Sequence, residues 1–249
     1  NIVKSAVDAA KPYGVPVTIK MRIGIDEEHE TYFTAAKAAA DAGVSWVALH
    51  ARFASQLYDG EADWSAIAKL VEFMEPTGVP VLGNGDIWSG ADGVRMVEET
   101  GCAGVVVGRG CLGRPWLFKD LVNAFNGENT KVIPTLFEVR DIMKRHALLL
   151  TEFFEQEGRA MRDLRKHMAW YLKGFTVNRE LRAKFGMVAS MGELDYLLSQ
   201  LIDQPYPVEV AEGPRGRKSH GRPVTLPDNW LADPFEIPAI TIDDSVSGG

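Results

Sequence analysis

Cysteine is scarce in this sequence: Cys102 and Cys111 are the only two among 249 residues, and they form no CxxC pair. That rules out a disulfide framework or a zinc knuckle, so no metal is expected and a reducing, cytoplasmic setting is the default. Long apolar runs are also lacking. Nothing approaches the roughly 18 consecutive apolar residues that a membrane span needs. The opening NIVKSAVDAA has no basic stretch leading into an apolar run of the kind a secretory leader carries. No methionine begins the chain, and Ile2, Val3, Ala6, Val7 and Ala10 already recur at helical spacing, so a fragment of a longer protein is expected. The net charge of -7 argues mildly against polyanion partners taken globally and leaves the question to local clusters.

What the chain does have is a repeated design. Four β-rich apolar runs end in polar or glycine-bearing residues: VPVTIKMRIG (15 to 24), WVALHAR (46 to 52), VPVLGNGDI (79 to 87) and AGVVVGRG (103 to 110). Helical patterns separate them. The first closes on Gly43 and the third on Gly101, while Pro76 and Gly78 stop the middle one. Strand, helix, strand at this spacing is a βα series, and strands apolar on both faces suit a parallel sheet covered by helices. A complete eight-unit barrel takes roughly 250 residues, so the stretch is half of one or most of a small doubly wound sheet. Either architecture places chemistry at the carboxyl ends of the strands.

The strand ends carry the candidate site. Thr18, Lys20 and Arg22 share a face, and a lysine there is costly unless it meets an anion or an acceptor. His50 closes the second run with Arg52 on the same face. Asn84-Gly85-Asp86 ends the third; it is ordinary turn chemistry, yet Gly85 also lets backbone approach a ligand between an amide and a carboxylate. In the last run, Gly108 and Gly110 flank Arg109 where a loop leads toward a helix, an arrangement suited to phosphate, with the arginine adding a charged fork. Together these residue types describe a pocket for a phosphorylated cofactor without naming it.

Taken with LHARFASQLYDGEADW, VVVGRGCLGRPWLF and RDLRKHMAWYL, the runs TIKMRIG and GNGDI resemble the tRNA-dihydrouridine synthases, most nearly the bacterial B-type branch, from residue 1 to about residue 200. The resemblance implies an α/β fold: the C-terminal half of an FMN-binding (β/α)8 TIM barrel over residues 1–130, then a helical tRNA-binding domain over 131–205. An extended or disordered tail is expected over 206–249. The implied activity is reduction of the uracil C5–C6 bond in tRNA, with NADPH as electron donor, by a monomer. Lys20 and His50 inherit catalytic and flavin-contacting roles. Asn84, Gly85, Asp86, Gly108 and Arg109 match the segments that hold the FMN, and Arg52 and Tyr58 fall on the substrate side.

Two departures from the family pattern stand out. Where many members read HGRT, this chain has His50-Ala51-Arg52-Phe53. The first half of the barrel and the cysteine that protonates C5 are missing as well. Neither Cys102, ahead of its strand, nor Cys111, in the phosphate loop, takes that role, so this chain by itself is expected to be inactive.

Residues 159 to 184 carry eight Lys or Arg against two acids. On a helix, Arg159, Arg162, Lys166, Trp170 and Lys173 fall on one face with His167 at its edge, opposite Met161, Leu164, Met168 and Leu172. Such a face can track phosphates while the Trp stacks on a base. Two other readings stay open: a flavin or phosphate-binding barrel enzyme for a small molecule, and a non-catalytic RNA-binding module.

Overall fold

The computed structural model describes residues 1–216, 220–227 and 230–231. The apolar runs become four short strands: β1 (Thr18–Arg22), β2 (Trp46–His50), β3 (Val81–Asn84) and β4 (Gly104–Val106). They form one parallel sheet in the order β1-β2-β3-β4. Register sets Lys20 beside Ala48 and Leu82, and Arg22 beside His50 and Asn84. Paired residues of a parallel sheet point the same way, so Lys20, Arg22, His50 and Asn84 share one face.

Helices cover the opposite face. α1 (Ile2–Ala10), α2 (Tyr32–Ala42), α3 (Trp64–Met74), α4 (Gly90–Thr100) and α5 (Leu117–Phe125) alternate with the strands. α2 and α4 end on Gly43 and Gly101, both in the left-handed region, and α3 runs through a 3-10 turn into Gly78. Ser89 and Asp92 form a reciprocal cap that starts α4 just after β3 and so fixes the loop carrying Asp86. Val47, Leu49, Val81, Ile67, Leu70 and Met96 are buried between sheet and helices.

The remaining helices are α6 (Leu136–Phe154), α7 (Glu157–Tyr171), α8 (Arg179–Phe185) and α9 (Met191–Ser199), followed by the short α10 (Val208–Ala211). Their apolar faces share a second core that includes Met143, Met161, Leu164, Met168 and Phe185. Trp116, from the GRPWLF stretch, belongs to this second core while the adjacent Leu117 belongs to the first, so the two cores join through that motif.

Two features differ from the sequence reading. α7 ends at Tyr171, because Arg182 donates to the carbonyls of Leu172 (3.0 Å) and Phe175 (2.5 Å) and Gly174 turns the chain at φ 85°. Lys173 therefore lies beyond the helix. The stretch expected to be extended or disordered from residue 206 holds α10, and Tyr206, Ala211 and Arg215 are buried. Residues 217–219, 228–229 and 232–249 of that stretch lie outside the described ones.

Candidate ligand site at the strand ends

One cavity of about 240 Å³ opens at the carboxyl end of the sheet, lined by Lys20, His50, Tyr58, Asn84 and the Gly108–Gly110 turn among others. Residues from four separate runs of sequence thus converge on one space. A larger pocket of about 760 Å³ lies beside it, and Tyr58, Asp86, Trp88 and Arg109 line both.

Asp86 organises the charged wall. Its φ of 53° turns the chain so that its carboxylate accepts from the Ala62 amide (2.8 Å), from Arg52 Nη2 (2.7 Å) and from Arg109 Nη2 (3.2 Å). Aspartate is among the few side chains that tolerate this region. Arg52 is only 1% exposed and donates as well to the carbonyls of Asp59 (3.3 Å) and Gly60 (2.8 Å). It braces the loop after β2 more than it faces a substrate, although its Nη1 is buried with no hydrogen-bond partner among the described residues. The Arg109 guanidinium lies over Tyr58 (4.3 Å) and Trp88 (5.1 Å). Arg22 donates to the carbonyls of Phe53 (2.7 Å) and Leu57 (3.0 Å), which holds the Tyr58 loop over the strand ends.

The electrostatics are lopsided. Burial, then the charges of Arg22, Lys20, Arg52 and Arg109, lower the His50 pKa to about 3. His50 is therefore a neutral imidazole at pH 7, able to donate or accept a hydrogen bond but not to act as an imidazolium acid. Lys20 still reaches solvent, yet desolvation and then Arg22 push its ammonium below the usual lysine range.

The glycines divide by environment. A Cβ on Gly110 would sit 2.1 Å from the Ile87 carbonyl oxygen, and one on Gly85, at φ 134°, would sit 2.6 Å from the Ala62 Cβ. Both let backbone pass close to backbone or side chain. At Gly108 the nearest atom is Asn84 Nδ2 at 4.0 Å, so its exposed side faces open space. Asn84 is held by its Nδ2 donating to the Val106 carbonyl at 2.6 Å.

Cys102 is buried, and the Cys111 thiol, raised by burial, donates to the Gly108 carbonyl at 3.1 Å.

On α7, Arg159, Arg162 and Lys166 are exposed. Lys166 pairs with Asp163 at 2.6 Å and Arg159 covers the Phe154 ring at 4.5 Å. Trp170 and His167 are half-buried and in edge contact at 5.1 Å, and His167 is also packed on His146 at 4.8 Å. Burial, and then His146, lower the His167 pKa to about 4. Lys173 donates to the Pro214 carbonyl at 3.0 Å.

Sequence reasoning passed over Trp88, which follows the Asn-Gly-Asp triplet directly and roofs Arg109. It also passed over Arg114, which is buried, donates to the Trp88 carbonyl at 2.9 Å and pairs with Glu212 at 3.4 Å. An aromatic placed just after a strand-end turn was the available signal for Trp88. Nothing local announces that Arg114 meets a residue ninety-eight positions away.

Parallel strands whose carboxyl ends gather four cations around the Asp86 carboxylate and one cavity define an α/β protein with a strand-end site suited to an anionic ligand. A family model described as dihydrouridine synthase matches residues 1–206, and the chain belongs to that family. It is 49% identical over 251 residues to a protein of Mycobacterium leprae named "Probable tRNA-dihydrouridine synthase", covering all of this chain and 64% of that one. A protein of the same name from Mycobacterium tuberculosis strain H37Rv is 49% identical over 250 residues, 63% of its length. The "tRNA-dihydrouridine synthase B" of Pseudomonas aeruginosa is 36% identical over 186 residues, which is 74% of this chain and 54% of that protein. The chain thus spans under two thirds of the length of each of these relatives. Among the described residues no helix is long and apolar enough to cross a membrane, and no group of His, Cys, Asp and Glu is placed to hold a metal.

Proposed function

We propose that this chain is the FMN-holding, C-terminal part of a tRNA-dihydrouridine synthase, with the sheet as half of a (β/α)8 barrel and α6 to α9 as the tRNA-binding part. The observation that carries the reading is the single cavity on which Lys20, His50, Asn84 and the Gly108–Arg109 turn converge. Two further features fit an anionic, heteroaromatic guest: the excess of cations and the open side of Gly108.

When bound, FMN supplies hydride transfer to the uracil ring, with NADPH as the source of electrons. The chain's own residues position and polarise. Gly108 and Arg109 hold the phosphate end, where backbone approach and a guanidinium combine. Lys20 Nζ donates to a carbonyl oxygen of the guest, and its lowered pKa reflects a desolvated ammonium that gains from such an acceptor. His50 offers an uncharged hydrogen bond against the ring. Tyr58 closes the rim. A target uracil is inaccessible inside folded tRNA and must be extruded to reach this cavity, while Arg159, Arg162 and Lys166 track the phosphates of the tRNA body.

In this reading neither cysteine takes the C5-protonating role, so residues 1–249 alone are expected to form no dihydrouridine. The test has two parts. Flavin absorbance and fluorescence quenching measure FMN binding by the purified chain, and dihydrouridine in unmodified tRNA measures turnover with NADPH. FMN bound without turnover supports the reading. A colourless chain that binds tRNA and never FMN would leave a non-catalytic RNA-binding module. FMN bound with no affinity for tRNA would favour a small-molecule enzyme.

A further inference from the structure

Beyond residue 206, where the family match ends, the chain returns from the helical part to the mouth of the sheet. Tyr206 packs edge-on against Trp116 (5.8 Å) and Phe175 (5.9 Å), and α10 leads to Arg215. Arg215 is 6% exposed and forms no ion pair among the described residues. Its Nη1 donates to the carbonyls of Leu112 (2.7 Å) and Trp170 (3.1 Å), and its Nη2 donates to that of Ala211. One guanidinium therefore ties the glycine loop after β4, the end of α7 and the end of α10.

Burying an arginine mainly against carbonyl dipoles is expensive, even with Tyr206 and Glu212 favouring its charge, and what it secures is the relative position of those three backbones. Directly after it, Gly216 at φ 78° lies against the Arg109 side chain, where a Cβ would sit 3.1 Å from Arg109 Cδ and 3.2 Å from Cγ. Farther on, the Gly221 amide donates to Asp59 Oδ2 (3.2 Å) and the Arg222 amide to the Ser55 carbonyl (2.8 Å), both in the loop after β2. The described residues of this stretch thus touch two strand-end loops and wall the larger pocket, which Arg215, Gly216 and His220 line together with Arg109.

We infer that residues 212–216, together with 220–222, act as a strap and that Arg215 is a positioning residue for Arg109, fixing the phosphate loop against α7 so that Gly216 backs the Arg109 stem while its guanidinium lies over the Tyr58 and Trp88 rings. The inference rests on the reading of that loop as the phosphate end of the site.

The experiment compares FMN with riboflavin, which lacks the phosphate, by quenching of flavin fluorescence on the whole chain and on four variants: R109Q, R215M, the double variant and G216A. Wild type should prefer FMN. R215M should weaken FMN about tenfold, the worth of one charged hydrogen bond, and leave riboflavin unchanged. The double variant should bind FMN no more weakly than R109Q alone, because Arg215 acts through Arg109. G216A should show the same phosphate-selective loss, and it carries the test if circular dichroism finds R215M unfolded.

A wild type without preference for FMN, or R109Q that keeps the preference, overturns the phosphate reading and the strap with it. A wild type with the preference, lost in R109Q but kept in R215M or in G216A, overturns the strap alone.

Discussion

Replacing His50 by glutamine should remove a pH dependence that this one imidazole builds into folding. Its folded pKa lies at about 3, first because it is buried and second because Arg22, Lys20, Arg52 and Arg109 oppose a further positive charge, while its ordinary value is 6.5. With the folded value depressed, the unfolded chain binds the extra proton. The contribution is therefore fully present above pH 6.5 and is lost as pH falls toward 3. At about pH 5 the unfolded imidazole is nearly all protonated and the folded one is not, a gap of one proton over about 1.5 pH units that costs about 2 kcal/mol. Urea melts at about pH 7.5 and about pH 5 on both proteins give the test, since other groups cancel in the comparison. The stability lost on acidification should be smaller in His50→Gln by about 2 kcal/mol. Saturating inorganic phosphate should also shrink the wild-type loss, because an anion among the four cations raises the folded value. Equal losses in wild type and variant would refute the argument that the cation cluster and the buried ring are coupled.

Three other outcomes follow from the same geometry. Asp86→Ala leaves Arg52 and Arg109 without their shared carboxylate and should cost about 3 kcal/mol, a fall of roughly 6 to 12 °C in Tm by circular dichroism; a change under about 2 °C would show that the bridge is not a structural tie. Gly110→Ala drives a Cβ into the Ile87 carbonyl oxygen at 2.1 Å and should lower stability by at least about 2 kcal/mol in chemical denaturation, whereas a wild-type midpoint would mean the loop yields freely. Reversing the charges of Arg162 and Lys166 should weaken tRNA binding and flatten its dependence on salt by about 1 to 2 in log-log slope, measured by filter binding; unchanged affinity would remove α7 from the RNA interface.

The strands and helices of residues 1–130 were legible because each local signal agreed with the tertiary arrangement. Gly43, Gly78 and Gly101 stop helices where left-handed backbone is required, and Val47, Leu49 and Val81 lie under the helices that the alternation demanded. The gathering of Lys20, His50, Asn84 and Arg109 was legible for a related reason: parallel strands in sequential order bring successive strand ends side by side. Arg52 was harder. A strand-end arginine reads the same whether it meets a ligand or an aspartate thirty-four residues on, and here it meets Asp86. Lys173 was misplaced on the α7 face because the helix is ended from a distance by Arg182, not by a local breaker before Gly174. The strap was missed because Pro, Gly and Arg in series lack periodicity, and its order comes from side chains such as Arg215 and Gly221's partner Asp59 in other parts of the chain.

One imbalance links the separate observations at the strand ends. Arg22, Arg52 and Arg109 are held by carbonyls, rings or Asp86, and Lys20 stands on the same sheet face, so four positive charges share a small volume with the Asp86 carboxylate. Burial lowers both Lys20 and His50, and repulsion adds to it, from Arg22 at Lys20 and from all four cations at His50. A protein that needed only a folded sheet would lose nothing by replacing Lys20 with an apolar residue, since removing a like charge from such a cluster relieves repulsion and desolvation together. The cluster makes physical sense if a bound anion completes it: each cation already fixed by backbone carbonyls and aromatic rings then gains an opposite charge without losing further side-chain freedom. The strap fits the same logic, because it adds a packing contact to the stem of Arg109, whose guanidinium meets Asp86 at 3.2 Å and the Tyr58 and Trp88 ring faces.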